Sequence, residues 1–167
     1  MKIILIGFMG SGKTSVAKKL GHLFNLPILE MDELVLKQTN AKSMHEVFKN
    51  GGEALLRETE ITVAKEHPLC ESCIVSTGGG VVMNQIILEN FKKNGGIVFF
   101  LKASFESIVD RLTDDATRPL FNNRTEAESL SPLRQPLYLK HADIIIDVDA
   151  KTVEEIAQEI AEKSLRS

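Results

Sequence analysis

The chain has 167 residues, of which 43% are hydrophobic and 26% charged, with a formal net charge of −3 at pH 7. This length allows one domain with a substantial core, and the composition is typical of globular proteins. The slight acidity argues against a nucleic-acid or anionic-membrane surface, and no apolar run reaches the roughly 18 residues of a membrane span. Because a predicted strand begins almost at Met1, we expect no signal peptide and a cytoplasmic protein.

Apolar runs and helical patterns predict that strands and helices alternate from end to end. The predicted strands are residues 2–6, 26–29, 74–76, 97–101 and 144–146. The predicted helices are residues 15–24, 32–38, 44–50, 53–66, 84–94, 104–112, 131–141 and 152–165. This alternation favours the α/β class, as a three-layer α/β/α domain over residues 1–167 with a central five-stranded parallel sheet.

Local signals mark several boundaries. Asn84 and Ser104 are predicted N-caps, and the pair Gly51–Gly52 is predicted to break a helical region. Residues 113–129 are polar and lack clear periodicity. We therefore expect a mobile loop over residues 113–129.

The clearest motif is Gly7–Thr14, which reads G-F-M-G-S-G-K-T and fits the phosphate-loop pattern G-x-x-x-x-G-K-[ST]. A strand precedes it and a helix follows it, as phosphate binding requires. The glycines let backbone N–H groups point at phosphate oxygens, and the helix adds the positive end of its dipole. Lys13 can reach the outer phosphates, and the Thr14 hydroxyl can ligate Mg²⁺. The expected nucleotide contacts are Gly10, Ser11, Gly12, Lys13, Thr14 and Ser15.

A phosphate loop on a parallel sheet is shared by kinases, GTPases and ATPase motors. The chain is short for a motor, and it lacks the Asn-Lys-x-Asp motif that selects guanine. A small-molecule or nucleotide kinase is the class that remains.

Four further features predict an acceptor pocket. They are Glu30–Asp32 at the end of the second strand, Arg57, the run Gly78–Gly80, and a pair of motifs that contain Arg118 and Arg134. Ligands of parallel sheets bind beyond the carboxyl ends of the strands, so we expect the acidic pair to face the cleft. The arginines suit a carboxylate, which a guanidinium can grip with two hydrogen bonds.

The order of these motifs resembles the shikimate kinase family over essentially the whole chain. The carrying pieces are the phosphate loop, the acidic pair, Gly-Glu-x-x-x-Arg, Ser-Thr-Gly-Gly-Gly, Thr-Arg-Pro-Leu and Arg-x-Pro-Leu-Tyr. The resemblance implies a fold like that of nucleoside monophosphate kinases, with strand order 2-3-1-4-5 and a mobile lid near residues 113–129. It also implies transfer of the γ-phosphoryl group of ATP to the 3-hydroxyl of shikimate, with Mg²⁺, in aromatic amino-acid biosynthesis.

On the acceptor side, the resemblance implies that Asp32 binds the shikimate hydroxyls and is the candidate base. It implies that Arg57 and Arg134 hold the shikimate carboxylate. Backbone N–H groups of the substrate-binding loop would come from Gly78, Gly79 and Gly80.

On the nucleotide side, the resemblance implies that Arg118 sits in the lid and reaches the transferring phosphate, together with Lys13. Arg111 is implied to lie against adenine. Thr14 is implied to ligate Mg²⁺, and Glu30 to contact it through water.

The chain departs from the family pattern at some positions. Glu30 stands where the family usually has aspartate, and Leu56 stands where phenylalanine is commoner. Leu56 and Phe48 are predicted to line the pocket. The adenine side does not match clearly, and Lys151 is a candidate contact there.

Other functions stay open from the residues alone. A gluconate kinase also binds a polyhydroxy carboxylate, and a nucleoside monophosphate kinase shares the fold. A nucleotide-dependent binding module without catalysis is a different class. We expect a monomer whose partner is a small molecule, with neither nucleic acid nor membrane bound.

Overall fold

The computed structural model describes residues 1–66, 71–113 and 124–166. Its strands are Lys2–Ile6 (β1), Ile28–Glu30 (β2), Cys73–Ser76 (β3), Ile97–Lys102 (β4) and Ile144–Asp147 (β5). They form one sheet in the order β2-β3-β1-β4-β5, and each neighbouring pair is parallel. The predicted parallel sheet and its strand order are confirmed.

Helices cover both faces of this sheet. They are Lys13–Phe24 (α1), Met31–Thr39 (α2), Met44–Glu66 (α3), Gln85–Lys93 (α4), Phe105–Thr113 (α5), Arg124–His141 (α6) and Val153–Ser164 (α7), with a short 3₁₀ turn at Val81–Met83. Side chains of α1 and α7 form the core on one face, and side chains of α2 to α6 form the core on the other. None of the helices in the described ranges has the length and apolar character needed to cross a membrane.

The central strand β1 explains why the sequence reads as an unbroken apolar run. Ile3 and Leu5 belong to the core beneath α1 and α7, while Ile4 and Ile6 belong to the opposite core. All four are fully buried. Side chains alternate between the faces of a strand, so a strand between two helix layers is apolar at every position.

The three predicted helix boundaries are confirmed in position, although one of them lacks the expected capping bond. Gly52 interrupts α3 with φ 65° and ψ −160°, a conformation suited to glycine. The Ser104 hydroxyl accepts a hydrogen bond from the Ser107 N–H at 3.2 Å, as an N-cap should. Asn84 is the N-cap residue of α4, as predicted, but its side chain accepts no capping hydrogen bond; its side-chain amide donates to the Arg57 carbonyl at 3.4 Å.

The predicted loop over residues 113–129 is wrong for its last part, because α6 begins at Arg124 rather than near Ser131. Ala127 is buried, and Leu130 packs against the same core, so a helical stripe extends further back than the sequence suggested. Pro132 and Pro136 lie inside this helix and obscured that pattern. Residues 114–123 of the predicted loop lie outside the described residues.

Candidate active site

A cavity of about 860 Å³ opens beyond the carboxyl ends of β1, β2 and β3. The phosphate loop lines one part of it. Asp32, Arg57, the run Gly78–Gly80 and Arg134 line another part of the same cavity. The parallel sheet therefore brings the predicted nucleotide and acceptor residues together in one cleft.

The phosphate loop curls around the ammonium group of Lys13. The Lys13 Nζ donates to the carbonyl oxygens of Gly7 at 2.8 Å and Phe8 at 2.9 Å. Gly10 and Gly12 have φ values of 77° and 93°, in the left-handed region that favours glycine. The loop thus places a buried cation at the start of α1, where the helix dipole also favours anions.

Thr14 and Glu30 form a small oxygen cluster where β1 and β2 end. The Thr14 hydroxyl donates to Glu30 Oε2 at 3.4 Å. The other carboxylate oxygen, Oε1, is buried and has no hydrogen-bond partner within the described part of the chain. Burial raises the pKa of Glu30 above its ordinary value, although hydroxyls of Ser76 and Thr14 oppose the rise. A hydroxyl and an unsatisfied carboxylate oxygen are ligands of the kind that Mg²⁺ prefers.

Arg57 lies between two carboxylates of its own helix. Its Nη1 donates to Glu60 Oε2 at 2.7 Å, and its Nη2 and Nε donate to Glu53 Oε1 at 3.0 and 3.3 Å. The Glu60 side chain is 3% exposed, whereas that of Glu53 is 59% exposed. Burial raises the pKa of Glu60, and the Arg57 guanidinium opposes that rise. Glu60 thus holds the guanidinium from the buried side.

Each glycine of the loop after β3 makes room for a different functional group. A Cβ atom on Gly80 would lie 2.0 Å from Arg57 Nη2, and one on Gly78 would lie 2.8 Å from Asp32 Oδ1. A Cβ atom on Gly79 would lie 3.1 Å from the backbone nitrogen of Met9 in the phosphate loop. A side chain at any of the three positions would therefore push against a group of the cleft and force it to shift.

Asp32 and Arg134 approach the cleft from α2 and α6. Asp32 is exposed in the first turn of α2, beside Gly78. The Arg134 guanidinium lies over the Phe8 ring, with 6.0 Å between Cζ and the ring centroid. A cation over an aromatic face is stabilised by the ring quadrupole. Arg134 is therefore held against the phosphate loop.

Arg111 and Lys151 occupy the nucleotide end of the cavity. Arg111 donates to the carbonyl oxygens of Ser11 at 3.3 Å and Val148 at 2.7 Å, which links the phosphate loop to the end of β5. Lys151 lines the cavity and pairs with Glu159 at 2.6 Å.

Two of the remaining predicted residues line the cavity, and one lies outside the described residues. Leu56 is buried and Phe48 is 44% exposed, and both line the cavity. Arg118 lies outside the described residues. Glu60 was missed by sequence reasoning, since nothing in a helix rich in glutamate distinguishes the one that becomes buried.

The family model and the curated relatives point to one family. The family model described as shikimate kinase matches residues 9–164. A shikimate kinase from Caldicellulosiruptor bescii is 37% identical over 161 residues, covering 95% of this chain and 92% of that protein. One from Lactococcus lactis is 39% identical over 165 residues, covering 98% of each. The solved structure of the shikimate kinase from Acinetobacter baumannii in complex with shikimate has a TM-score of 0.88 and 30% identity, covering 99% of this chain and 93% of that one.

The buried ion pair predicts a stability effect. Arg57→Met should lower the free energy of unfolding by about 3 kcal/mol, because it leaves the Glu60 carboxylate buried without its cation. Adding Glu60→Gln should recover much of this loss. Arg57→Met should lose less stability near pH 5 than near pH 8. Without the Arg57 cation the pKa of the buried Glu60 rises further, so the folded chain takes up a proton there at the lower pH and escapes the cost of burying a charge; at the higher pH it bears the full cost.

Urea denaturation of the wild type, Arg57→Met and the double variant at both pH values measures these effects. A loss that is the same at both pH values, or no recovery in the double variant, would show that the Glu60 charge is not its cause.

Proposed function

The chain belongs to the shikimate kinase family, and we propose that its cleft transfers the γ-phosphoryl group of ATP to the 3-hydroxyl of shikimate. The products are shikimate 3-phosphate and ADP. One observation carries the proposal most directly. Gly79 lies so close to the Met9 backbone that a Cβ atom on it would be 3.1 Å from the Met9 nitrogen, so the loop after β3 and the phosphate loop are in contact. A hydroxyl bound by one loop is then close to a phosphate bound by the other, and phosphoryl transfer depends mainly on such positioning.

On the ATP side, backbone N–H groups of residues 10–15 bind the phosphates. Lys13 already lies within the loop, held by the carbonyls of Gly7 and Phe8, and its charge stabilises the transferring group. Arg111 fixes the loop from the adenine side and lies against the base. In this proposal Arg118 adds a further positive charge next to the transferring phosphoryl group.

Thr14 and Glu30 fit a Mg²⁺ ion bound together with ATP. The unsatisfied Glu30 Oε1 and the Thr14 hydroxyl provide two oxygen ligands, direct or through water. In the described part of the chain, no group of three His, Cys, Asp or Glu residues could hold a metal by itself. That suits Mg²⁺, which usually binds through one or two protein oxygens together with substrate phosphates and water. When bound there, the ion would neutralise charge on the phosphate oxygens.

On the shikimate side, Arg57 and Arg134 bind the carboxylate. The buried Glu60 accepts the hydrogen bond from Nη1 of Arg57. The other donors, Nη2 and Nε, bond to the exposed Glu53, and a substrate carboxylate could replace Glu53 there. The backbone of Gly78, Gly79 and Gly80 contributes N–H groups beside them.

Asp32 accepts a hydrogen bond from the reacting hydroxyl and takes its proton. Its carboxylate is exposed in the cleft, with Oδ1 beside Gly78 of the loop that would bind the substrate ring. A stronger base is unnecessary, because the transition state of phosphoryl transfer is loose and the hydroxyl loses its proton late.

We propose that the enzyme acts as a monomer. We place the reaction in the cytoplasm, where ATP is available.

The arginine pair with Asp32 favours a small hydroxy-acid over a nucleoside monophosphate, whose phosphate calls for several lid arginines. A gluconate kinase shares the carboxylate chemistry and is the rival that experiment must separate. Retention of Lys13 and Asp32 argues against a binding module without catalysis.

The acceptor is tested by ADP release with purified protein, ATP and Mg²⁺. Shikimate, gluconate, AMP and CMP are compared at equal concentration. We expect ADP production that depends on shikimate alone. Turnover with a different acceptor would contradict the pocket assignment, and ATP binding without turnover on any of them would favour the binding module.

Gly80→Ala should weaken shikimate binding about tenfold or more, because a Cβ atom there displaces the Arg57 guanidinium from its position. The dissociation constant for ATP should stay within about twofold, since the phosphate loop is untouched. Calorimetric titration with each substrate measures both.

Gly95→Ala is the matched control. Gly95 has φ 80° with no atom within 4 Å of the added Cβ, so this variant carries backbone strain far from the cleft. It should lose stability and keep both affinities. Equal loss of ATP and shikimate affinity in Gly80→Ala would refute the assignment of Arg57 to the acceptor side.

A further inference from the structure

Tyr138 is a buried polar side chain that the proposed reaction does not use. It is 1% exposed and lies in α6, and its ring stacks on Phe100 of β4 with 4.9 Å between the ring centroids. Its hydroxyl donates a hydrogen bond to the carbonyl oxygen of Gly79. Burial raises the pKa of Tyr138 well above its ordinary value, so the phenol keeps its proton.

The hydrogen bond to Gly79 fixes the direction of the Tyr138 hydroxyl. Because its only proton points at the Gly79 carbonyl, the lone pairs of the phenol oxygen point elsewhere and can only accept. Arg134 lies one helical turn earlier on the same face of α6, and its guanidinium reaches the Phe8 ring, next to the Met9 backbone against which Gly79 packs. The Arg134 side chain and the Tyr138 hydroxyl therefore approach the same part of the phosphate loop, and the positive charges of Arg134 and Arg57 oppose the rise in the pKa of the phenol.

Arg134 has a second support on its other side. Its guanidinium lies over the ring of Phe8, at 6.0 Å from Cζ to the centroid. An aromatic face sets the height of a guanidinium but leaves it free to rotate in the plane of the ring. A directed acceptor such as the Tyr138 oxygen removes that freedom.

We propose that Tyr138 is a positioning residue that orients Arg134 for the substrate carboxylate, with the Gly79 carbonyl holding its hydroxyl in the accepting direction. The inference rests on the proposed function, since it concerns the same carboxylate site. It assigns to the phenol oxygen a specific role in acceptor affinity, in addition to packing.

The ring and the hydroxyl of Tyr138 make separate contacts: the ring stacks on Phe100, and the hydroxyl bonds to the Gly79 carbonyl. The hydroxyl connects α6 to the loop after β3, and Gly79 of that loop and Arg134 of α6 line the same cavity.

The test is Tyr138→Phe, which keeps the ring and removes the oxygen. The dissociation constant for shikimate should rise about 3- to 10-fold, the effect of losing one or two hydrogen bonds. The dissociation constant for ATP should change by less than about twofold. A ring analogue of shikimate without the carboxylate, measured as a competitive inhibitor at high concentration, should bind the wild type and the variant equally.

Ser164→Ala is the matched control, because Ser164 is a buried hydroxyl that donates to the Ile160 carbonyl at 2.7 Å in α7, away from the cleft. It should lower the melting temperature and leave all three affinities unchanged. Equal weakening of shikimate and its analogue in Tyr138→Phe would mean general loss of pocket packing, and no weakening would mean no role. Either result overturns the inference. Absence of shikimate binding in the wild type would instead overturn the proposed function.

Discussion

Strand β1 lies between β3 and β4, and the position of both substrates depends on that arrangement. Its carboxyl end opens into the phosphate loop, while β3 beside it opens into the triple glycine. Parallel pairing fixes the relative height of the two loops through the register of Leu5 with Ser76. The Thr77 N–H and hydroxyl both bond to the Leu5 carbonyl and continue this register into the loops. Substrates bound at two loops held so closely would lie next to each other.

The charges of the acceptor site are arranged from the core outward. Glu60 is buried and ties down one side of Arg57, while the exposed Glu53 shares the other side. A buried carboxylate is costly without a cation, so Arg57 has a structural partner as well as a place in the cleft. Arg134 is supported by an aromatic face rather than a carboxylate, and this leaves its positive charge uncompensated by that contact. Together the two arginines favour an anionic acceptor.

The sequence predicts best those features of the fold that depend on residues close together along the chain. The phosphate loop, the apolar strands and the kink at Gly52 follow from local spacing and from glycine's backbone freedom. The role of Gly80 does not, because its neighbour Arg57 lies on another element, and only packing shows that a Cβ would overlap the guanidinium. For the same reason the sequence assigned no role to Tyr138 of the Arg-x-Pro-Leu-Tyr motif, since its partner Gly79 lies 59 residues earlier. The early start of α6 was hidden by two prolines within a weakly amphipathic helix.

The central claim is that the cleft passes a phosphoryl group to an acceptor and not to water. Phosphorus NMR of the wild-type protein with ATP, Mg²⁺ and shikimate tests it most directly. The account predicts ADP and a new phosphate ester in equal amounts, with the ester phosphorus coupled to the proton on carbon 3 of shikimate. Inorganic phosphate as the product, or an ester at a different hydroxyl, would contradict the account.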